Sequence, residues 1–237
     1  MQKKYIAPNA ITVTNMFLGY LSIISSTKGE FDKAVLFIFL AMICDGLDGK
    51  VARKFDAFSE FGKEFDSFCD AISFGIAPSI FIYSLLGRME NAKGYVIPIS
   101  FIYGLCGIMR LVKFNIQTIA SNEKEDFSGM PIPAGASLII SYYIISKTIL
   151  INFGINILTW EALTVLSIIA GGLMVSIIPF KTPDKIFSFL KKSKILLSVF
   201  LFLIMLTFNY SFFALIVYYI SLNIIKIIKL NFGKDYV

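Results

Sequence analysis

Long apolar segments alternate with short polar ones along almost the whole of this 237-residue chain. A helix needs about 20 apolar residues to cross the hydrocarbon core of a bilayer, and most of these segments have roughly that length. The pattern therefore predicts an all-α, polytopic membrane protein with about eight transmembrane helices. The last two segments are short and close together, so six or seven crossings stay open as alternatives. The predicted segments run over residues 8–27, 33–54, 60–87, 94–117, 132–150, 158–180, 193–208 and 211–228.

The composition agrees with lipid as the solvent. Hydrophobic residues make up 57% of the chain and charged residues 16%, whereas soluble domains average about 25% charged residues. The net charge of +6 does not indicate nucleic acid, because the basic residues lie between apolar segments rather than along one polar face. There is no His, and Cys44, Cys69 and Cys106 all fall inside apolar segments. A disulfide framework and a zinc site are therefore not expected.

The distribution of Lys and Arg predicts the orientation, because cytoplasmic loops of membrane proteins are enriched in these residues. With eight crossings, both termini and the loops near 55–59, 118–131 and 181–192 share one side, which holds most of the basic residues. Both termini are therefore predicted to be cytoplasmic. No repeat or linker divides the chain, so residues 1–237 are expected to form a single membrane domain. Its last part, 181–237, is expected to hold a basic loop and two C-terminal transmembrane helices.

Four aspartates interrupt the second and third apolar segments, where charged residues are rare. Asp45 and Asp48 are three residues apart, and Asp66 and Asp70 four apart, so each pair shares one face of its helix. With a rise of ~1.5 Å per residue, both pairs lie ~9–15 Å from the shared end of two antiparallel helices. We therefore expect the four carboxylates to meet at one depth, beside small residues that leave room for a pocket.

Four carboxylates in a dry site need positive partners, because taking each charge out of water costs several kcal/mol. One alternative is internal pairing with Lys50, Arg53 and Lys63, which lie near the same interface. Three flexible cations do not readily satisfy four acids that converge on one small volume. All-oxygen ligation suits Mg²⁺ or Mn²⁺, and Ca²⁺ is a further candidate. Two such ions ~4 Å apart would favour chemistry at phosphorus.

The residues around the aspartates resemble the complete signature of the CDP-alcohol phosphatidyltransferases. The resemblance predicts a catalytic core over residues 8–180. The matching positions read Asp45-x2-Asp48-Gly49-x2-Ala52-Arg53-x8-Gly62-x3-Asp66-x3-Asp70.

This resemblance implies an enzyme that moves a phosphatidyl group from CDP-diacylglycerol, or an ether-lipid equivalent, to an alcohol and releases CMP. The four aspartates would bind two divalent cations, and Asp70 would also deprotonate the acceptor hydroxyl. A further stretch, Pro8-Asn9-Ala10-Ile11-Thr12, resembles the Pro-Asn-x-x-Thr element of the family. The implied contacts to the CDP-lipid are Asn9, Thr12, Gly49, Ala52, Arg53 and Ser59.

A second resemblance concerns the acceptor alcohol. The stretches Arg110–Asn115 and Phe127–Ala136 are similar to the phosphatidylserine synthase branch of that family, which implies L-serine as acceptor. Arg110 and Lys113 would then bind serine, although the branch usually has Arg at the second position. Lys offers a point charge rather than a bidentate fork. The alternative reading is that both side chains extend to the membrane interface.

Other functions remain as alternatives. The same chemistry could use glycerol 3-phosphate, inositol phosphate or another alcohol. A divalent-cation transporter could use the acids as an ion path, although transporters often interrupt helices in both halves of the chain. A non-catalytic scaffold would leave the aspartates unexplained. The resemblance implies a homodimer, and the distribution of Lys and Arg predicts that the active site faces the cytoplasm from the cell membrane; the cation and the type of lipid tail stay open.

Overall fold

The computed structural model describes residues 5–57, 59–89, 94–120, 127–180 and 207–232. These residues are mostly helical, which confirms the predicted all-α class; two two-residue strands also pair antiparallel. The elements are α1 (Ile6–Lys28), α2 (Phe31–Lys54), α3 (Glu60–Asp70), a π-helical segment (Ala71–Ile76), α4 (Ala77–Leu86), α5 (Val96–Ala120), β1 (Phe127–Ser128), α6 (Ile132–Phe153), α7 (Trp160–Val175), β2 (Pro179–Phe180) and α8 (Phe208–Phe232).

Four helical stretches are long and apolar enough to cross a membrane. Seven of the predicted segments coincide with helices. The segment 193–208 lies outside the described residues except for its last two positions, so the total number of crossings and the orientation stay predictions. The four candidate crossings are Ile6–Lys28, Glu60–Leu86, Val96–Gln117 and Ile132–Phe153, and the shorter apolar helices are Trp160–Val175 and Asn209–Ile225.

Two tight turns place α1, α2 and α3 side by side. Gly29 ends α1 with φ 79°, a left-handed conformation that glycine adopts without steric cost. Asp56 follows α2 with φ 47°, which a short polar side chain tolerates better than most residues. The chain therefore reverses after α1 and again after α2, so the aspartate-bearing ends of α2 and α3 become neighbours.

The π-helical segment follows directly after Asp70. Pro78 has no N–H to donate to the carbonyl oxygen of Phe74, four residues earlier. The hydroxyl of Tyr103 donates to that oxygen at 3.5 Å. Because a single π turn often accompanies a functional site in a helix, its position next to Asp70 is consistent with a site here.

The core lies between α4, α5 and α6, where the largest side chains are fully buried, among them Phe81, Tyr103 and Ile139. Glycines allow the helices to approach closely. A Cβ atom on Gly107 would lie 3.4 Å from Cα of Gly75 and 3.0 Å from Cδ1 of Ile132. Small residues at such contacts are the usual means of helix packing in lipid, and here they hold α5 against the π-helical segment.

Candidate metal centre and substrate site

Three carboxylates converge between α2 and α3. Ligand oxygens of Asp45, Asp48 and Asp66 all lie within 4.8 Å of one another. Asp48 is buried, and one oxygen of Asp66, Oδ1, is buried without a hydrogen-bond partner among the described residues. The arrangement confirms that the two helices bring these three aspartates together. We refer to them as the carboxylate cluster.

Asp70 lies one helical turn beyond Asp66 and is 9% exposed. It is not one of the three mutually close residues, but its side chain interacts with that of Asp45. The amide nitrogen Nδ2 of Asn15, on α1, donates a hydrogen bond to Oδ1 of Asp70 at 3.1 Å. Asp70 is therefore held at the edge of the carboxylate cluster from the side of α1.

Internal pairing does not neutralise the cluster. In the described part of the chain, the salt bridges join Lys33 with Glu30 and Lys147 with Asp32, and none reaches the four aspartates. At a separation near 4.8 Å, two like charges repel by roughly 3–4 kcal/mol at an effective dielectric constant of ~20. Converging carboxylates and a buried, unpartnered oxygen fit a hard divalent cation, which prefers oxygen ligands.

The first turns of α1 contact both aspartate helices. Oγ1 of Thr12 lies 3.1 Å from Oδ2 of Asp48 and 3.1 Å from the carbonyl oxygen of Pro8, so its single proton can serve either. A Cβ atom on Gly62 would lie 3.8 Å from Oδ1 of Asn9. The predicted lipid contacts Asn9 and Thr12 therefore lie beside the carboxylate cluster.

Ser59 lies at the start of α3. Its Oγ accepts a hydrogen bond from the backbone N–H of Gly62 at 3.0 Å, which caps the helix. A Cβ atom on Gly62 would come within 2.9 Å of that oxygen. The cap gives Ser59 a structural role beside the predicted contact with the CDP-lipid, and its oxygen leaves little room for a side chain at position 62.

One side of α2 next to the cluster is open. A Cβ atom on Gly46 would meet nothing within 4 Å, and one on Gly49 would meet only the guanidinium of Arg53, at 3.7 and 3.9 Å. Ala52 is half-buried and Arg53 is exposed. Glycine here leaves space for a ligand rather than for a neighbouring helix. The exposed apolar residues of α2 form a stripe on the opposite side of the helix from Asp45 and Gly49: Leu36, Leu40, Ile43 and Leu47.

Arg110 is buried, with 8% of its surface exposed, on α5. Its guanidinium carbon lies 4.9 Å from the ring centroid of Phe114, which is a cation–π contact. It also interacts electrostatically with Asp70 and Asp45. This burial argues against a side chain that extends to the membrane interface and places a positive charge near the cluster.

Lys113 makes a different contact. Its Nζ donates to the carbonyl oxygen of Ser176 at 3.1 Å, just beyond the end of α7, where a cation is favourable. Oγ of Ser128 donates to the same oxygen at 3.4 Å. Gly129 has φ 89°, and a Cβ atom there would lie 2.3 Å from the carbonyl oxygen of Met174. Lys113 therefore joins α5 to the end of α7, and its contact with serine stays a prediction.

Sequence reasoning missed two residues that hold this site together. Asn15 follows Thr12 by three residues on the buried face of α1, a spacing that could have indicated it. Asn115 donates from Nδ2 to Oγ of Ser67 at 3.0 Å and to Oε2 of Glu64 at 3.3 Å. Both asparagines connect other helices to α3, which carries Asp66 and Asp70.

Residues 5–168 match the model of the CDP-alcohol phosphatidyltransferase family. The chain is 40% identical over 136 residues to a CDP-diacylglycerol–serine O-phosphatidyltransferase of Helicobacter pylori, covering 57% of this chain and 56% of that protein. It is 42% identical over 134 residues to the protein of that name from Bacillus subtilis, covering 56% and 73%. An archaetidylserine synthase of Methanothermobacter thermautotrophicus is 40% identical over 139 residues, covering 58% and 57%. Against the first and third of these relatives, the match spans little more than half of their length.

Proposed function

Because this chain belongs to the CDP-alcohol phosphatidyltransferase family, we propose that it transfers a phosphatidyl group from a CDP-linked lipid to the hydroxyl of L-serine and releases CMP. The observation that carries the proposal is the carboxylate cluster, whose oxygens lie within 4.8 Å of one another. It lies beside a glycine-lined opening at Gly46 and Gly49. The names of the relatives support serine as the acceptor and leave both ester- and ether-linked lipids as donors.

The carboxylate cluster, with Asp70 at its edge, would hold two divalent cations, Mg²⁺ or Mn²⁺, with Ca²⁺ as a further candidate. Bound there, such ions would neutralise the charge of the diphosphate and of the departing CMP. Asp45 and Asp48 approach from α2 and Asp66 from α3, so the site is shared between two helices. The fit rests on the chemistry of this donor set and on the unpartnered Oδ1 of Asp66.

Each nearby side chain has a distinct part in the proposed reaction. The CDP group would be held against α2 from two sides. Asn9 and Thr12 would contact it from α1, and Arg53, whose guanidinium lies next to Gly49, would contact it from α2 itself. Asp70 accepts the proton of the serine hydroxyl, and the freed oxygen forms a bond to the phosphorus on the lipid side. The bond from that phosphorus to the bridging oxygen breaks, and CMP departs with this oxygen. Positioning and proton transfer of this kind are the main protein contributions in phosphoryl chemistry.

Arg110 offers an anionic group of the acceptor a partner. A buried guanidinium can bind a carboxylate through two parallel hydrogen bonds, and serine brings a carboxylate next to its hydroxyl-bearing carbon. Glycerol 3-phosphate and inositol phosphate carry phosphate groups instead, which Arg can also bind. We further propose a homodimer in the cell membrane with this site towards the cytoplasm.

A panel of acceptors tests the proposal with purified protein in liposomes that contain CDP-diacylglycerol. Radiolabelled CMP release should require both serine and Mg²⁺ or Mn²⁺. A preference for glycerol 3-phosphate or inositol phosphate would overturn the assignment of serine. Ion flux across the liposome membrane without any CMP release would instead favour the transporter.

Substitution of Gly49 by Leu should block the donor without disturbing the fold. A Cβ atom at this position meets only the flexible end of Arg53, so the thermal midpoint should stay within about 2 °C of wild type. The side chain would occupy the space beside the cluster, and we expect the KM for CDP-lipid to rise at least about tenfold. The matched control is Gly172→Leu, on α7, where a Cβ atom meets nothing within 4 Å; its kinetics should equal those of wild type.

Substitution of Arg110 by Met should weaken the recognition of serine. Met fills much of the buried volume but cannot bind a carboxylate, so the KM for serine should rise about 10- to 100-fold, as expected for a lost charged hydrogen bond. The KM for CDP-lipid should change little. Steady-state kinetics with each substrate varied in turn measure both values. An unchanged KM for serine in a folded Arg110→Met variant would show that Arg110 does not bind the acceptor.

A further inference from the structure

Asn15 is fully buried on α1, and none of the roles above requires it. Two contacts fix its position. Its Nδ2 donates to Oδ1 of Asp70 at 3.1 Å, and its backbone oxygen accepts a hydrogen bond from Oγ of Ser73 at 3.0 Å. Because a carboxylate accepts hydrogen bonds, the nitrogen of the Asn15 amide, and not its oxygen, must face Asp70. The amide oxygen therefore points away from that bond.

This amide oxygen, Oδ1 of Asn15, is buried and has no hydrogen-bond partner among the described residues. Buried polar atoms in native proteins are nearly always hydrogen-bonded, so an exception next to a functional carboxylate needs a specific reason. The neighbouring unpartnered atom, Oδ1 of Asp66, belongs to the carboxylate cluster and fits a cation. The oxygen of Asn15 is neutral, and it suits a hydrogen-bond donor of the substrate better.

We propose that Asn15 determines acceptor specificity, with Nδ2 orienting Asp70 and Oδ1 accepting a hydrogen bond from the ammonium group of L-serine. The inference rests on the proposed function, in which the serine hydroxyl binds at Asp70. Serine carries its hydroxyl and ammonium groups on adjacent carbons. A hydroxyl placed at Asp70 therefore brings the ammonium group close to the other end of the same amide.

The charges around Asn15 agree with this placement. The buried guanidinium of Arg110 interacts electrostatically with Asp70 and offers a partner for the serine carboxylate. Asn15 and Arg110 reach Asp70 from α1 and α5, respectively. Serine would thus be recognised through three groups: its hydroxyl at Asp70, its carboxylate at Arg110 and its ammonium at Asn15. A neutral oxygen binds the ammonium by a directed hydrogen bond without adding a further carboxylate to a crowded acidic site.

The decisive variant is Asn15→Leu, which has a similar volume and no polar atoms. We expect the KM for serine to rise about 10- to 100-fold, the usual effect of losing a hydrogen bond to a charged group. The kcat should also fall, because Asp70 loses its orienting donor, while the KM for CDP-lipid stays within about twofold. Ser22→Ala, on the same helix, is the matched control: Ser22 is equally buried and donates to the carbonyl oxygen of Ala34. It should leave both KM values unchanged.

A second variant, Asn15→Asp, separates the two parts of the proposal. It keeps an oxygen acceptor at position 15 and removes the donor to Asp70, so kcat should fall while the KM for serine stays near that of wild type. This variant also tests the proposal if Asn15→Leu does not fold. An unchanged KM for serine in Asn15→Leu, or a large rise in Asn15→Asp, would overturn the proposal. Absence of serine-dependent CMP release by the wild-type protein would overturn the proposed function itself.

Discussion

Asp70→Asn should lower turnover at least about 1000-fold while the CDP-lipid still binds. A positioned general base contributes about 10²–10⁴ to the rate. The variant keeps an oxygen that can accept the hydrogen bond from Asn15, but it removes the group proposed to take the serine proton. The carboxylate cluster keeps all three members, because Asp70 lies outside the set of mutually close oxygens. Single-turnover CMP release and equilibrium binding of CDP-lipid measure the two effects separately.

Asp56→Asn is the matched control for this variant. Asp56 lies in the turn after α2 with φ 47°, a conformation that Asn also adopts readily. The substitution removes a carboxylate that is not part of the cluster, and turnover should remain within about twofold of wild type. Near-normal turnover in Asp70→Asn would refute the role of Asp70 as base. Loss of CDP-lipid binding in that variant would assign Asp70 mainly to binding.

Asp66→Asn should have opposite effects on the metal-free and metal-bound protein. Without cations, the three carboxylates repel one another, so removal of one charge should raise the thermal midpoint by a few degrees. A change of 1 kcal/mol shifts the midpoint of a domain of this size by about 2–4 °C. With Mg²⁺ or Mn²⁺, wild-type protein should gain stability by binding, and the variant should gain far less. Turnover should fall at least about 1000-fold, because the variant replaces an anionic ligand of the proposed cation by a neutral amide.

Thermal unfolding in detergent, with and without Mn²⁺, measures the effects on stability without any substrate. Glu64→Gln provides the control on the same helix: Glu64 is exposed, and Gln can still accept the hydrogen bond from Asn115. It should show the wild-type response to Mn²⁺. Equal stability of wild-type protein with and without divalent cations would argue against a metal centre in the carboxylate cluster.

The helices and the carboxylate cluster could be predicted because local patterns determine them. The length of each apolar segment predicts a long helix. The three- and four-residue spacings put Asp45 and Asp48 on one helix face, and likewise Asp66 and Asp70. The predicted segment 60–87 agrees closely with the observed helical stretch Glu60–Leu86. The π-helical segment within it was not predicted. It accompanies Pro78 and a hydrogen bond to Phe74 from Tyr103, which lies on another helix.

Contacts between helices far apart in sequence could not be read from the chain. Thr12 was predicted as a diphosphate contact, and its bond to Asp48 depends on how α1 packs against α2. Lys113 was predicted beside Arg110, three residues earlier, yet its Nζ reaches the end of α7. The spacing of Asn15 from Thr12 could have placed it on the same face of α1, but its contact with Asp70 depends on how α1 packs against α3. The resemblance indicated which residues matter, and the packing shows how they are held.

The glycine-lined opening beside the carboxylate cluster lies on α2, a helix that the sequence predicts to cross the bilayer. An opening on such a helix lets the acyl or isoprenoid tails of a donor stay in the lipid while its head group reaches the acids. The donor therefore need not leave the membrane, whereas serine arrives from water. The concentrations of the two reactants must therefore be expressed in different units. The donor is measured by its mole fraction in the lipid film and the alcohol by its molarity in solution.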